Sequence, residues 1–164
     1  MEHKIKIYLD TSVPNFLFAD DAPEKRDITI DFFSNFVKLE KYHTFISAFV
    51  LVEIDNTTDL KKKIKLLEAL KQYPLTMLQS ENRNEIETLA QKYVKAGIIP
   101  MKNIFDAYHI AVCTVFGIDY LVSWNFRHLA NVNKENLVRI VNCQNNYLNE
   151  LRIITPLELT GYGT

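Results

Sequence analysis

Cysteine, glycine and long apolar runs are all scarce in this chain. Its 164 residues hold two cysteines, Cys113 and Cys143, with no Cys-x-x-Cys spacing, which excludes a disulfide scaffold and leaves structural zinc unexpected. Both lie in helix-like segments and read as small buried hydrophobes. Four glycines and five prolines exclude collagen-like classes, and no low-complexity tract, internal repeat or linker interrupts the sequence. No stretch approaches the ~20 apolar residues that cross a bilayer. Met1-Glu2-His3-Lys4 leads straight into a strand-like run with no signal-peptide pattern, so a cytoplasmic protein with no membrane association is expected. A basic excess is missing too. With 19 Lys+Arg against 20 Asp+Glu the net charge is -1, so affinity for a polyanion has to come from a local basic patch and from metal ions.

What is present is a foldable balance, 48% hydrophobic and 24% charged, over a length that suits one domain spanning 1–164. Residues 4–9 alternate polar and apolar and end on Tyr8-Leu9, a strand with a buried end, and a short helical run follows around Phe16 to Phe18. Pro23 opens a helix with Ile28, Phe32, Phe36 and Leu39 on one face. Tyr42 to Ile46 reads as a second strand, and Ser47 as the N-cap of a helix carrying Glu53. Asp59 to Tyr73 is a lysine-rich amphipathic helix stopped before Pro74. Leu75 to Leu78 makes a third strand, and Ser80 is expected to cap a helix running to Lys95 and stopping at Gly97. An apolar helix over 103–116 ends at Gly117. A fourth strand covers Asp119 to Ser123, a polar helix roughly 133–149, and a fifth strand Arg152 to Thr155. Strands alternating with helices predict an α/β three-layer sandwich around a parallel sheet of about five strands.

In such sheets ligands bind outside the carboxyl ends of the strands. Asp10 follows the first strand directly, Glu53 lies about two turns into the helix after the second, Asp106 opens the helix before the fourth, and Asn125 stands just past that strand. Asp10 heads Asp10-Thr11-Ser12, which reads either as a helix cap or as chemistry after a buried strand. Glu53, within Phe49-Val50-Leu51-Val52-Glu53-Ile54, reads equally as a solvated notch. Asp106 is the most informative. Ile104 to Cys113 is apolar nearly all round, and a buried carboxylate there needs a metal ion, a cation or a proton. His109, one turn on, can ligate metal or fix the carboxylate from behind, the second role being expected. Ser123-Trp124-Asn125-Phe126-Arg127-His128 gathers hydroxyl, amide, guanidinium and imidazole groups past a strand, with Trp124 and Phe126 as packing. Lys61, Lys62, Lys63, Lys65 and Lys71 form a solvated helix face that could also meet a polyanion.

Taken in order, Tyr8-Leu9-Asp10-Thr11-Ser12, Val52-Glu53-Ile54, Asp106-Ala107-Tyr108-His109-Ile110-Ala111 and Leu121 to His128 resemble the PIN-domain family, and within it the VapC-like toxins. Arg152-Ile153-Ile154-Thr155-Pro156 resembles its last strand. The resemblance implies Mg²⁺- or Mn²⁺-dependent hydrolysis of RNA phosphodiester bonds, an antitoxin partner and a homodimer. Asp10, Glu53 and Asp106 match the family's three principal acidic positions, as metal-holding catalytic residues. Asn125 stands where many members have a fourth acid, within a Ser-Trp-Asn-x-x-His variant, and is counted with them. Thr11, Ser12, His109, Ser123, Arg127 and His128 are assigned to substrate or to supporting these ligands. With Asn125 neutral, a second divalent ion is expected to bind weakly.

Two other readings compete. A phosphatase using Asp10 as nucleophile resembles Asp-x-Asp sites, but position 12 here is serine. A non-cleaving scaffold that binds RNA or a protein is the alternative from a different class. Finally, Phe16, Phe18, Phe32, Phe33 and Phe36 exceed what one helix face buries, with Phe33 off the stripe of Ile28, Phe32 and Phe36. Either neighbouring helices cover these rings, or a partner or second copy does.

Overall fold

Lys6–Leu9 makes the central strand, β1, and its last three residues, Ile7, Tyr8 and Leu9, are wholly buried, as a strand covered on both faces requires. The computed structural model of the chain describes residues 3–78, 80–125, 129 and 131–161. Around β1 lie β2 (His43–Ser47), β3 (Thr76–Leu78), β4 (Tyr120–Val122) and β5 (Arg152–Ile154), in the order β3-β2-β1-β4-β5 with every neighbouring pair parallel. Tyr8 stands level with Phe45 on one side and Leu121 on the other. The chain works outward from β1 through β2 and β3, then crosses to β4 and works outward the other way. That reversal opens a crevice at the carboxyl ends of β1 and β4.

Among the described residues, eight α-helices flank or link the strands: α1 (Ser12–Phe16), α2 (Pro23–Phe32), α3 (Ala48–Asp55), α4 (Leu60–Lys71), α5 (Arg83–Lys95), α6 (Ile104–Val115), α7 (Val132–Gln144) and α8 (Pro156–Thr160). α2 packs on α1 and α8, α4 packs on α1, and α5 packs on α6 and α7, which gives the two helical layers of the expected sandwich. Ser47 does cap α3, accepting from the Phe49 N–H at 3.3 Å, and Asp59 caps α4 from the Lys62 N–H at 3.2 Å. Gly97 and Gly117 leave α5 and α6 with φ of +75° and +66°, a left-handed exit that glycine adopts without strain.

Several local expectations change. α1 begins at Ser12, not around Phe16, because the Val13 and Asn15 N–H groups already bond the Asp10 and Thr11 carbonyls. α5 begins at Arg83 behind a 3₁₀ turn over Ser80–Asn82, so Ser80 does not cap it. α7 stops at Gln144, since Asn146 takes a φ of 67° and the Tyr147 N–H returns to the Asn142 carbonyl. Cys113 is buried as expected, but Cys143 is exposed near the end of α7.

Phe33 is the largest correction. α2 runs into a π-helical turn over Phe33–Val37, in which the Lys38 N–H bonds the Phe33 carbonyl and the Lys41 N–H that of Phe36. Phe33 itself stays in phase with α2, its N–H bonded to the Thr29 carbonyl, so it lies on the buried face of Thr29 and enters the core beside Phe32 instead of facing outward. Both rings are 0% exposed, and Phe33 packs 4.7 Å from Tyr73 between ring centres. Phe16 and Phe36 are partly buried, while Phe18 is exposed.

Candidate active site

Asp10 leaves β1 at the crevice, where it is 3% exposed. Both its oxygens are engaged. Oδ1 accepts from the Ser12 hydroxyl at 2.5 Å and the Ser12 N–H at 3.1 Å, and Oδ2 accepts from the Ser123 hydroxyl at 2.6 Å. Ser12 and Ser123 in turn accept the backbone N–H groups of Trp124 and Asn125, both at 2.9 Å. The two hydroxyls thereby clasp the ends of β1 and β4 around one carboxylate. Trp124 anchors the turn by donating its indole N–H to Thr29 at 2.8 Å.

Glu53 reaches the same place from α3. Its Oε1 accepts from the Thr11 hydroxyl at 2.7 Å and meets His109 Nε2 at 2.5 Å. His109, 1% exposed on α6, turns Nδ1 to the Tyr8 hydroxyl at 2.7 Å, and that hydroxyl meets Ser47 Oγ at 2.7 Å. His109 therefore supports Glu53, whereas its position on α6 had pointed to Asp106.

Asp106 is half-buried on the first turn of α6, and its Oδ2 accepts from the Asn125 side-chain amide at 3.3 Å. Asp10, Thr11, Ser12, Asn15, Glu53, Asp106, His109 and Asn125 line one open cleft. Of the expected site residues, Ser123 lies just beneath it, bonded to Asp10. Arg127 and His128 lie outside the described residues. Motifs alone did not mark Asn15, Tyr8 or Ser47. A helical spacing of three from Ser12 could have marked Asn15, and a tyrosine inside a buried strand is a signal in itself, because its hydroxyl requires a partner.

The charges in this cleft act on one another. Burial raises the Asp10 pKa, against the pull of His109, Ser12 and Ser123. Burial, reinforced by the charges of Asp10 and Glu53, pushes Asp106 up to about 6. Burial also pushes Glu53 up, but His109 and Thr11 outweigh it and hold the carboxyl below its ordinary value. His109 is correspondingly raised: burial disfavours its charged form, and Glu53, Asp10 and Asp106 more than compensate.

Among the described residues, no three His, Cys, Asp or Glu side chains stand together as a ready ligand set for an ion. Asp10 and Glu53 are held by hydroxyls and His109 instead. The donor chemistry nonetheless fits a hard divalent cation: three carboxylates around an open cleft, with Asp106 driven toward its neutral form by burial and, after it, by the charges of the other two. Mg²⁺ needs only one or two protein carboxylates and keeps several waters.

No protein-family model matches the chain, and no curated protein matches it. Solved structures do. A chain of DNA-bound VapBC from Salmonella typhimurium superposes with a TM-score of 0.53 at 13% identity, over 93% of this chain and 98% of that one. A chain of VapBC2 from Rickettsia felis, bound to a DNA fragment from their promoter, gives 0.54 at 11% identity, over 92% and 98%. At such identity the likeness is one of fold, and it extends over nearly the whole length of both chains. No described helix is long and apolar enough to cross a membrane.

Proposed function

We propose that this chain is a cytoplasmic, single-domain endoribonuclease of the VapC-like PIN type that requires Mg²⁺ or Mn²⁺. The observation that carries the reading is the charge balance of the cleft: Asp10, Glu53 and Asp106, from three separate elements, face one space, and Asp106 is raised to about 6 by burial and by the other two. A divalent cation relieves that repulsion. Asp10, Glu53 and Asp106 would hold it, with the Asn125 side chain beside them. When bound, the ion supplies Lewis acidity and a water of lowered pKa for attack on phosphorus.

The chain's own residues then have separate tasks. Ser12 and Ser123 aim the Asp10 oxygens; Thr11 and His109 keep Glu53 ionised. With both Asp10 oxygens clasped by hydroxyls, Asp10 is poorly placed as a covalent nucleophile, which weighs against the phosphatase reading. A wider groove shares Asn15 with the cleft and carries Phe16, Lys25 and Lys62, an aromatic and two amino groups that could meet single-stranded RNA, alongside the carboxylates of Asp21 and Glu24. Toward a protein partner, either an antitoxin segment or a second copy, the exposed Phe18, Val52, Leu60 and Ile64 offer apolar surface from α3, α4 and the end of α1.

Protein stripped of metal and incubated with a mixed RNA panel tests the reading. Cleavage should appear on adding Mg²⁺ or Mn²⁺ and fall at least about a hundredfold in D106N. Metal-independent cleavage, or equal activity in D106N, overturns it. A non-cleaving scaffold is favoured by one contact, the Asn125 amide donated to Asp106, which gives that carboxylate a hydrogen-bond partner without a metal. RNA retention with no cleavage under any divalent ion would establish that second reading.

A further inference from the structure

Beneath the cleft a line of buried side chains runs from the sheet to Glu53, and the proposed function gives its first two members, Ser47 and Tyr8, no task. The Ser47 hydroxyl meets Tyr8, Tyr8 meets His109 Nδ1, and His109 Nε2 meets Glu53, at 2.7, 2.7 and 2.5 Å. The four come from β2, β1, α6 and α3. Ser47 Oγ also accepts the Phe49 N–H, so the far end of the line is tied to backbone.

We infer that Tyr8 is a positioning residue, whose hydroxyl fixes the His109 ring so that an Nε2 proton is always presented to Glu53. A ring 1% exposed has little access to water, so each nitrogen needs a protein partner. Nδ1 has the Tyr8 hydroxyl, which can donate or accept. It serves Nδ1 equally well whether that nitrogen is bare or protonated. In both of those states the remaining proton sits on Nε2, facing Glu53. The tautomer left over would set a bare Nε2 against a carboxylate oxygen at 2.5 Å, two acceptors in contact, and is excluded.

Tyr8 can hold the ring in this orientation, with Nε2 toward Glu53, because its own place is fixed. It is wholly buried in the central strand, paired on both sides, with Phe45 and Leu121 as its register partners. Its ring lies 5.6 Å from that of His109 at 47°. Glu53, by contrast, projects from a helix into an open cleft, and His109 and Thr11 are what hold it there. The order of the line therefore runs from rigid to mobile. Side chains one step behind a metal-holding group typically tune its affinity by 10- to 100-fold, and one step further back the effect should be smaller.

The inference uses the proposed function only in taking Glu53 as a metal-holding group, and its first test needs no metal. In ¹⁵N-histidine-labelled, metal-free protein, His109 should carry its proton on Nε2 and exchange it slowly. Y8F should speed that exchange at least about tenfold and weaken Mn²⁺ binding by roughly three- to tenfold while the fold persists. A wild-type proton on Nδ1 alone overturns the inference. So does a Y8F protein that loses only stability, with Nε2 exchange and Mn²⁺ affinity unchanged. Should Y8F fail to fold, S47A decides: it removes the group that orients the Tyr8 hydroxyl together with the α3 cap, so its stability is measured apart from its Nε2 exchange rate. Faster Nε2 exchange in S47A supports the inference, and a wild-type rate overturns it. A slow Nε2 proton lost in Y8F, together with no Mn²⁺ binding by the wild type, would sink the metal reading and leave Tyr8's role standing.

Discussion

Asn125 turns its side-chain amide to Asp106 Oδ2 at 3.3 Å, bringing the end of β4 onto the first turn of α6. A neutral amide thus donates a hydrogen bond to one of the carboxylates of the cleft. The cleft holds three carboxylates, the Asn15 and Asn125 amides and His109, which together set its capacity for cations.

Metal stoichiometry follows from that contact. The wild type should bind a single Mn²⁺ well in calorimetric titration. N125D should tighten binding by about tenfold, near 1.4 kcal/mol, or open a second site, because a carboxylate replaces an amide donor. Two equally tight sites in the wild type, unchanged by N125D, would contradict the charge argument.

Stability of the metal-free protein should rise on acidification. Asp106 is raised to about 6 in the fold, against about 3.9 unfolded, so the native state binds the extra proton and gains stability as pH falls through 6. Between pH 7.5 and 5.5 this contributes about 1 kcal/mol. The raised His109 acts in the same direction: its contribution is present below the unfolded value and lost as pH rises through the folded one. The lowered Glu53 contributes above its unfolded value and is lost only at more acid pH. Urea unfolding at the two pH values should show the gain, and D106N should reduce it. A pH response identical in D106N would remove Asp106 as its source.

The serine clasp predicts a metal-dependent defect. S123A leaves Asp10 Oδ2 without its hydroxyl and should destabilise the metal-free protein by roughly 1–3 kcal/mol. Saturating Mn²⁺ should narrow the gap to wild type, since a cation at Asp10 replaces the lost donor. An S123A defect that Mn²⁺ leaves unaltered would detach Asp10 from the metal.

Phe33 should behave as a core residue. F33A should cost about 3–5 kcal/mol in urea unfolding, the range for emptying a buried phenylalanine site. Any self-association should respond to the exposed α4 positions instead. In sedimentation at micromolar concentration, L60E with I64E should favour monomer without large loss of stability, whereas an unchanged oligomer would place the contact elsewhere.

Much of the architecture was legible along the chain, because local geometry governs it. A run such as Ile7-Tyr8-Leu9 is buried on both faces only in a covered parallel strand, Ser47 and Asp59 mark helix starts through their own hydrogen bonds, and Gly97 and Gly117 mark helix ends through φ. Position after a strand likewise pointed Asp10, Glu53, Asp106 and Asn125 toward one edge of the sheet. The single-stripe reading failed at Phe33, because α2 is covered on the Thr29 face as well as on that of Ile28 and Phe32. Periodicity could not tell that His109 would choose Glu53 over Asp106, that Ser12 and Ser123 would share Asp10, or that Tyr8 would stand behind His109. His109–Glu53, Tyr8–His109 and Ser123–Asp10, the pairs that strand order brings together, are 56 to 113 residues apart along the chain. Backbone propensities act over a few residues, whereas the partner of a buried polar group depends on which strands become neighbours, and only the folded sheet decides that.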